Sequence, residues 1–269
     1  MRRWVSSGLA CALLFLVPGF ATAQGWLEDE ESAVSPPRLI GVESPGPAPE
    51  RGRWTFSLDG RFFGGVEDRV FGSGELLLGC SESMELGLRG SRARCGRLVG
   101  PEFTICHGGT DVEAFVRYRP AEYAGMALHL GIAFPDTPAQ QGAFVTLAGL
   151  AERALGSHVR LVFHPRVVFV GRPIVGIGAG VAVKLSDRVE VMGDGTMVIN
   201  GWNTYSVATG RKRAQPLWSG GIRVSLPGGG HNTWLTAGVT NALGATTGLG
   251  LSPGLGGSAS VFVGLTVRR

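Results

Sequence analysis

Charged side chains occupy alternate positions along many stretches of this 269-residue chain, with apolar residues between them. A period of two is typical of a β-strand, whose successive side chains point to opposite faces of a sheet. We therefore expect acidic and basic groups to meet on one face. Such groups either line a water-filled passage and set its ion preference, or pair across neighbouring strands and fill it. The candidates are Asp59, Arg61, Glu75, Glu85, Arg89, Glu113, Arg117, Arg119, Arg160, His164, Lys184, Glu190, Asp194 and Arg223.

The cysteines offer a second kind of chemistry. Cys95 and Cys106 fall in one glycine-rich stretch, where they either form a disulfide or remain free or otherwise paired thiols. Cys80 falls at a predicted turn and is left over. The cysteines lack Cys-x-x-Cys spacing, so they predict no zinc site, and the sequence predicts no other cofactor.

Twelve strands are expected to position these side chains. A short polar turn followed by alternating residues recurs without a gap at Cys80–Leu86, Leu155–Leu161 and Leu185–Val191. The pattern is weakest over 143–155, where Arg153 points outward and a short helix is the alternative. Ten or fourteen strands are also compatible with the pattern. The predicted strands are about 54–62, 70–80, 83–93, 111–119, 123–134, 143–155, 158–169, 174–185, 188–199, 216–226, 232–241 and 258–268.

The predicted connections alternate in length. Short turns follow the even-numbered strands, whereas the long connections, at about 94–110, 200–215 and 242–257, follow odd-numbered strands. In an antiparallel meander, this order collects the short turns at one end and the long loops at the other.

The N-terminus predicts export. Arg2 and Arg3 precede an apolar run of about residues 9–20, and Ala21-Thr22-Ala23 is a small-x-small cleavage site, so residues 1–23 are a predicted signal peptide. Residues 24–52 contain an acidic run and five prolines, which predicts an extended or solvated linker. A binding role for this linker is the alternative.

Composition narrows the class of protein. Charged residues make up 17% of the chain, below the ~25% of ordinary soluble domains, which favours a membrane location. The formal charge of +4 falls to about +2 once Arg2 and Arg3 are removed, and this small charge predicts no nucleic-acid partner.

Residues 53–269 resemble the bacterial outer-membrane β-barrel superfamily, and the hairpin from Val183 to Val191 is a turn style frequent in such barrels. The resemblance implies an all-β fold: a transmembrane antiparallel up-and-down β-barrel in the outer membrane, with short periplasmic turns and longer extracellular loops. The chain departs from the pattern at its end, because Leu265-Thr266-Val267-Arg268-Arg269 lacks the terminal aromatic residue that many such barrels carry. Aromatic residues near predicted strand ends fit interfacial girdles: Trp54, Phe62, Tyr118, Tyr123, Phe134, Trp218 and Trp234.

The function expected from this architecture is passive passage of small solutes. The alternatives are a structural or adhesive barrel with a plugged lumen, a lipid-modifying barrel enzyme, or a soluble exported β-sandwich. His231 lies in a stretch similar to the histidine–serine arrangement of outer-membrane phospholipases, but the nucleophilic serine and its spacing are missing, so no enzyme is predicted. Arg211, Lys212 and Arg213 lie in a predicted extracellular loop and either contact lipopolysaccharide phosphates or are solvated. The expected partners are outer-membrane lipid, lipopolysaccharide and small solutes.

Overall fold

A single antiparallel sheet closes on itself to form a twelve-stranded barrel. In this computed structural model, every wall strand pairs with both of its neighbours, and β1 meets β14 to complete the circle. The residues described are 39–46, 50–63, 69–94, 110–120, 123, 125–135, 143–169, 173–206, 211–226, 232–242, 244 and 259–269. One closed sheet rules out the alternative of a two-sheet sandwich.

The wall strands follow one another in chain order, as in an up-and-down meander. A small separate hairpin, β10 and β11, is inserted between wall strands β9 and β12. The strands are β1 (Trp54–Phe63), β2 (Arg69–Gly79), β3 (Met84–Arg94), β4 (Thr110–Tyr118), β5 (Met126–Pro135), β6 (Phe144–Leu155), β7 (Val159–Phe169), β8 (Ile174–Ser186), β9 (Val189–Asn200), β10 (Thr204–Ser206), β11 (Arg211–Arg213), β12 (Leu217–Leu226), β13 (Asn232–Thr240) and β14 (Ser260–Arg268).

The twelve predicted wall strands are confirmed with bounds that differ by a few residues. The stretch 143–155 forms strand β6 and not the alternative helix. Arg153 is exposed on this strand, near the turn to β7, where a charged side chain on the outer face costs least. The hairpin of β10 and β11 was not predicted, because strands of three residues are too short to show a period.

The two faces of the wall differ in polarity. Large apolar side chains cover the outside; Leu88 and Leu130, for example, are 52% and 56% exposed. The opposite face carries side chains such as Glu113 and Arg117, which are 0% and 1% exposed. The apolar outside and the charged inside therefore follow directly from the period-two pattern. Among the described residues, no helix is long and apolar enough to cross a membrane.

Aromatic side chains lie on the outer face near several strand ends. Phe62, Tyr118, Phe134 and Trp218 are 44–52% exposed, as interfacial girdles require. Trp234 is an exception: it is 6% exposed, because it shares the inward face of β13 with polar residues. Its assignment to a girdle was wrong.

The apolar outer face predicts a cost for charge that depends on depth. Leu88→Arg, near the middle of β3, is expected to destabilise the barrel in lipid vesicles by about 2–4 kcal/mol. Leu78→Arg, near the end of β2, is the matched control and is expected to cost about 0–1 kcal/mol. Guanidinium titrations of unfolding measure both. Equal costs would contradict a bilayer around the wall.

Candidate functional site

Residues 39–46, called the inner segment below, lie inside the barrel. Val42 and Ser44 are 0% exposed, and the neighbouring side chains of Leu39, Ile40 and Glu43 are 3–4% exposed. The sequence had placed these residues in a solvated linker, and for the inner segment that expectation is wrong. Residues 1–38 and 47–49, which include the predicted signal peptide and the rest of the acidic and proline-rich run, lie outside the described residues.

The inner segment reaches from one side of the wall to the other. On one side, the backbone N–H groups of Ile40 and Gly41 donate to Oδ2 of Asp194 on β9, at 3.0 and 2.9 Å. On the other side, the carboxylate of Glu43 meets arginines on β3 and β4. β3 and β4 lie six and five places from β9 round a wall of twelve, so they are on the opposite side. The inner segment therefore crosses the lumen.

The apolar side chains of the inner segment fill a recess in the wall. Leu39, Ile40 and Val42 form one buried cluster with side chains from four wall strands: Val162, Ala182, Met192 and Phe262. Glycines leave the room for them. A Cβ at Gly178 would lie 3.0 Å from Val42 Cγ2, and a Cβ at Gly221 would lie 3.0 Å from Ile40 Cδ1.

The glycine of the inner segment is itself required by close approach. A Cβ at Gly41 would lie 2.7 Å from Oδ1 of Asp194 and 2.8 Å from Oγ of Ser219. Any larger residue would push the backbone away from the carboxylate that accepts its N–H groups. Gly180 plays the matching role on the wall, because a Cβ there would clash with Cδ1 of Leu39.

The carboxylate of Glu43 is bound by the guanidinium groups of Arg89 and Arg117, called the clamp below. Its Oε1 lies 2.5 Å from Nη1 of Arg89, and its Oε2 lies 2.9 Å from Nη2 of Arg117. The backbone N–H of Glu43 donates to Nδ1 of His164 at 3.2 Å. Burial by itself would raise the pKa of Glu43, but the positive charges around it, that of Arg89 first, hold the pKa well below its usual range.

Arg89 also belongs to a row of charges in the wall. Strand register places Glu75, Arg89 and Glu113 side by side on β2, β3 and β4. Arg89 Nε lies 2.8 Å from Glu113, and Arg89 Nη1 lies 3.4 Å from Glu75. Glu113 in turn lies 3.1 Å from Nε2 of His129. The ring of Phe115 stacks on the ring of His129, with 4.4 Å between their centroids. The centroid of Phe115 also lies 4.7 Å from the Arg89 guanidinium, so the face of this aromatic ring covers both groups.

A second row extends the clamp toward the end of the inner segment. Glu85 lies 3.4 Å from Arg117 and 3.1 Å from Arg119. Arg119 also donates to the backbone carbonyl groups of Pro45 and Gly46. Arginine therefore holds both the side chain and the backbone of the inner segment.

A separate group of charges lies on β6, β7, β9 and β12. Arg160 meets Glu152 at 3.3 Å and Glu190 at 3.1 Å, and Arg223 meets Glu190 at 2.9 Å. Opposite charges thus pair between wall strands that are adjacent or one strand apart, and pairing is one of the two arrangements that the sequence left open.

The remaining predicted residues lie apart from these groups. Arg61 pairs with Asp59 at 3.2 Å and donates to the carbonyl of Ala242. Lys184 is partly exposed and pairs with Asp187 in the turn at 3.0 Å.

Several further predictions concern loops and cysteines. Cys80 is a free thiol, whereas Cys95, Cys106 and His231 lie outside the described residues. Residues 211–213 form β11, paired with β10, and the side chains of Arg211 and Arg213 are exposed. Within the described ranges, no three histidine, cysteine, aspartate or glutamate side chains gather as a metal site.

The sequence reasoning missed the inner segment and its carboxylate, and it also missed Arg166, which is buried and donates to Thr196 at 3.0 Å. The available signal was a short apolar patch, Leu39-Ile40-Gly41-Val42, within a proline-rich stretch. Apolar residues in an otherwise polar linker indicate that the linker contacts a surface.

The closed antiparallel wall with an apolar outside is the architecture of an outer-membrane β-barrel, as the sequence predicted. No protein-family model and no curated protein sequence matches the chain.

Three solved structures are similar in the broad course of the chain. They are the COG4313 outer membrane channel from Pseudomonas putida F1 (11% identity, TM-score 0.46, 83% of this chain and 97% of that one), LpxR from Salmonella typhimurium (10%, 0.43, 80% and 99%) and the outer-membrane expressed OmpT of Vibrio cholerae (10%, 0.36, 81% and 97%). At these values the likenesses transfer no residue role and no activity.

The clamp predicts a strong dependence of stability on Arg89. Arg89→Met removes the partner of three buried carboxylates, and breaking such a buried group costs about 3–5 kcal/mol. Arg53→Met, which breaks an exposed pair with Glu50, is the control and is expected to cost about 0–1 kcal/mol. Urea unfolding of both variants in the same detergent measures the difference, and similar midpoints would contradict the role of Arg89.

Proposed function

We propose that this protein is a passive outer-membrane channel for small solutes and that the inner segment is its gate. The observation that carries the proposal is that the wall is complete without the gate. All twelve wall strands pair with both neighbours, and none of these pairings uses residues 39–46. Displacement of the inner segment would therefore open the lumen and leave the barrel hydrogen bonds in place.

The proposed location rests on the surface of the barrel and on the N-terminus. An apolar outer face around a polar interior suits a lipid bilayer, and a closed wall leaves no backbone edge exposed to lipid. The signal peptide predicted over residues 1–23 directs export. With the short turns on the periplasmic side, both ends of the barrel wall face the periplasm, and the gate enters from there.

The attachments of the inner segment suit a gate. The segment is held at two ends by carboxylates, its own Glu43 and the wall residue Asp194. Both attachments are charge-assisted hydrogen bonds, which water or a solute that enters the lumen can replace. The apolar contacts of Leu39, Ile40 and Val42 with the wall supply further hold.

A second function has one observation in its favour. The lumen is occupied and its charges are paired, as in a structural or adhesive barrel that acts through its outer loops. The exposed Arg211 and Arg213 of β11 would then contact lipopolysaccharide phosphates, as in the channel itself. For neither function do we propose catalysis in the lumen.

Planar-bilayer recording of the mature chain, residues 24–269, tests the gate. We expect rare, brief openings from the wild-type chain, because the inner segment occupies the lumen. Glu43→Gln or Asp194→Asn removes charge-assisted hydrogen bonds of about 1.5–3 kcal/mol each, so each is expected to raise the open probability by about tenfold or more.

Two glycine variants form a matched test and control. Gly180→Ala places a methyl group against Leu39 and is expected to raise the open probability too. Gly72→Ala is the control: a Cβ at Gly72 meets no atom within 4 Å, so this variant is expected to behave as wild type. A heat-modifiable shift on a gel confirms that each variant is folded. Folded gate variants that never conduct would refute the channel and favour the structural barrel.

A further inference from the structure

We propose that the clamp of Arg89 and Arg117 is a carboxylate-binding site for solutes in the lumen, occupied in the closed barrel by Glu43. This inference rests on the proposed gate, because a solute reaches the clamp only when the inner segment leaves it. The geometry is already that of a bound carboxylate: each oxygen of Glu43 meets a different guanidinium, at 2.5 and 2.9 Å.

The wall around the clamp favours a single negative charge. Three wall carboxylates, those of Glu75, Glu85 and Glu113, already contact the arginines of the clamp and its neighbour Arg119. A doubly charged phosphate in this position would add a second negative charge beside these carboxylates, where like charges repel. A monocarboxylate replaces Glu43 with no change in charge.

The rest of the vacated site defines the body of the solute. Asp194 accepts two N–H groups on the opposite wall, and the apolar recess made by Gly178, Gly180 and Gly221 lies on the strands either side of it, facing Val42, Leu39 and Ile40. A solute with an N–H donor at one end, a short apolar body and a carboxylate at the other would use all three parts. A short apolar peptide has this chemistry.

Chemical rescue tests the clamp without any need for conductance. The mature chain with Glu43→Ala is refolded in detergent and heated in sodium acetate or in sodium chloride of equal ionic strength. Because acetate would bind the folded barrel alone, we expect it to raise the unfolding midpoint of this variant by about 2–4 °C. The wild-type chain, whose clamp is filled, is expected to show no such rise.

Two further measurements identify the site and the class of solute. In the double variant Glu43→Ala with Arg117→Met, the effect of acetate is expected to disappear. The peptide Leu-Ile-Gly-Val-Glu, acetylated at its N-terminus and amidated at its C-terminus so that the Glu side chain is its only carboxylate, is expected to stabilise Glu43→Ala at lower concentration than acetate. The same capped peptide with Gln in place of Glu has no carboxylate and is expected to do so less well. Equal midpoints in acetate and chloride, or an acetate effect that persists in the double variant, would overturn the proposal.

The outcomes separate this proposal from the gate. Rescue by acetate in a barrel whose gate variants never conduct would uphold the clamp and refute the channel. Conductance by gate variants without rescue would uphold the channel and refute the clamp. If Glu43→Ala does not fold in chloride, the refolding yield becomes the measurement: folding that requires acetate supports the clamp, and failure in both salts overturns it.

Discussion

The interior of this barrel depends on the pairing of buried charge. Taking a carboxylate or a guanidinium out of water costs several kcal/mol, and that cost is offset only where opposite charges and hydrogen bonds meet with good geometry. Glu43 and Arg89 offset this cost for each other, because their charged groups are in direct contact. The wall carboxylate of Glu113 completes the pairing of Arg89. The clamp therefore fixes the position of the inner segment, and the glycine recess on the far wall follows as the room that its apolar side chains need.

The wall could be predicted from the sequence because it obeys a local rule. A strand with one face in contact with lipid and the other in contact with a polar lumen must alternate, and alternation is visible in any window of eight residues or so. The pairing of Glu75 with Arg89 follows from the register that the short turn between β2 and β3 sets, whereas β3 and β4, which carry Arg89 and Glu113, are joined by a long connection. Trp234 shows where residue type misleads: an aromatic residue near a strand end suggests a girdle, but Trp234 alternates in phase with Thr236 and Thr240 and faces inward with them.

The inner segment could not be predicted in the same way. It has no period, since it forms no strand of the wall, and its prolines and nearby acidic run give it the composition of a linker. Its partners lie far away along the chain: Ile40 and Asp194 are 154 residues apart. No local pattern encodes a contact of that range, so the site appears only when the closed wall brings opposite strands to face one another.

The order of synthesis gives the inner segment a further meaning. The segment is made before any strand of the wall. The recess that holds its apolar side chains is built from β7, β8, β9, β12 and β14, and β14 is the final strand of the chain. The wall closes only when β14 pairs with β1, which is the first wall strand after the segment in the chain. The clamp partners of Glu43 on β3 and β4 are made early, but the apolar part of the segment must wait until almost the whole chain has been inserted, so its packing marks the moment at which assembly of the barrel is complete.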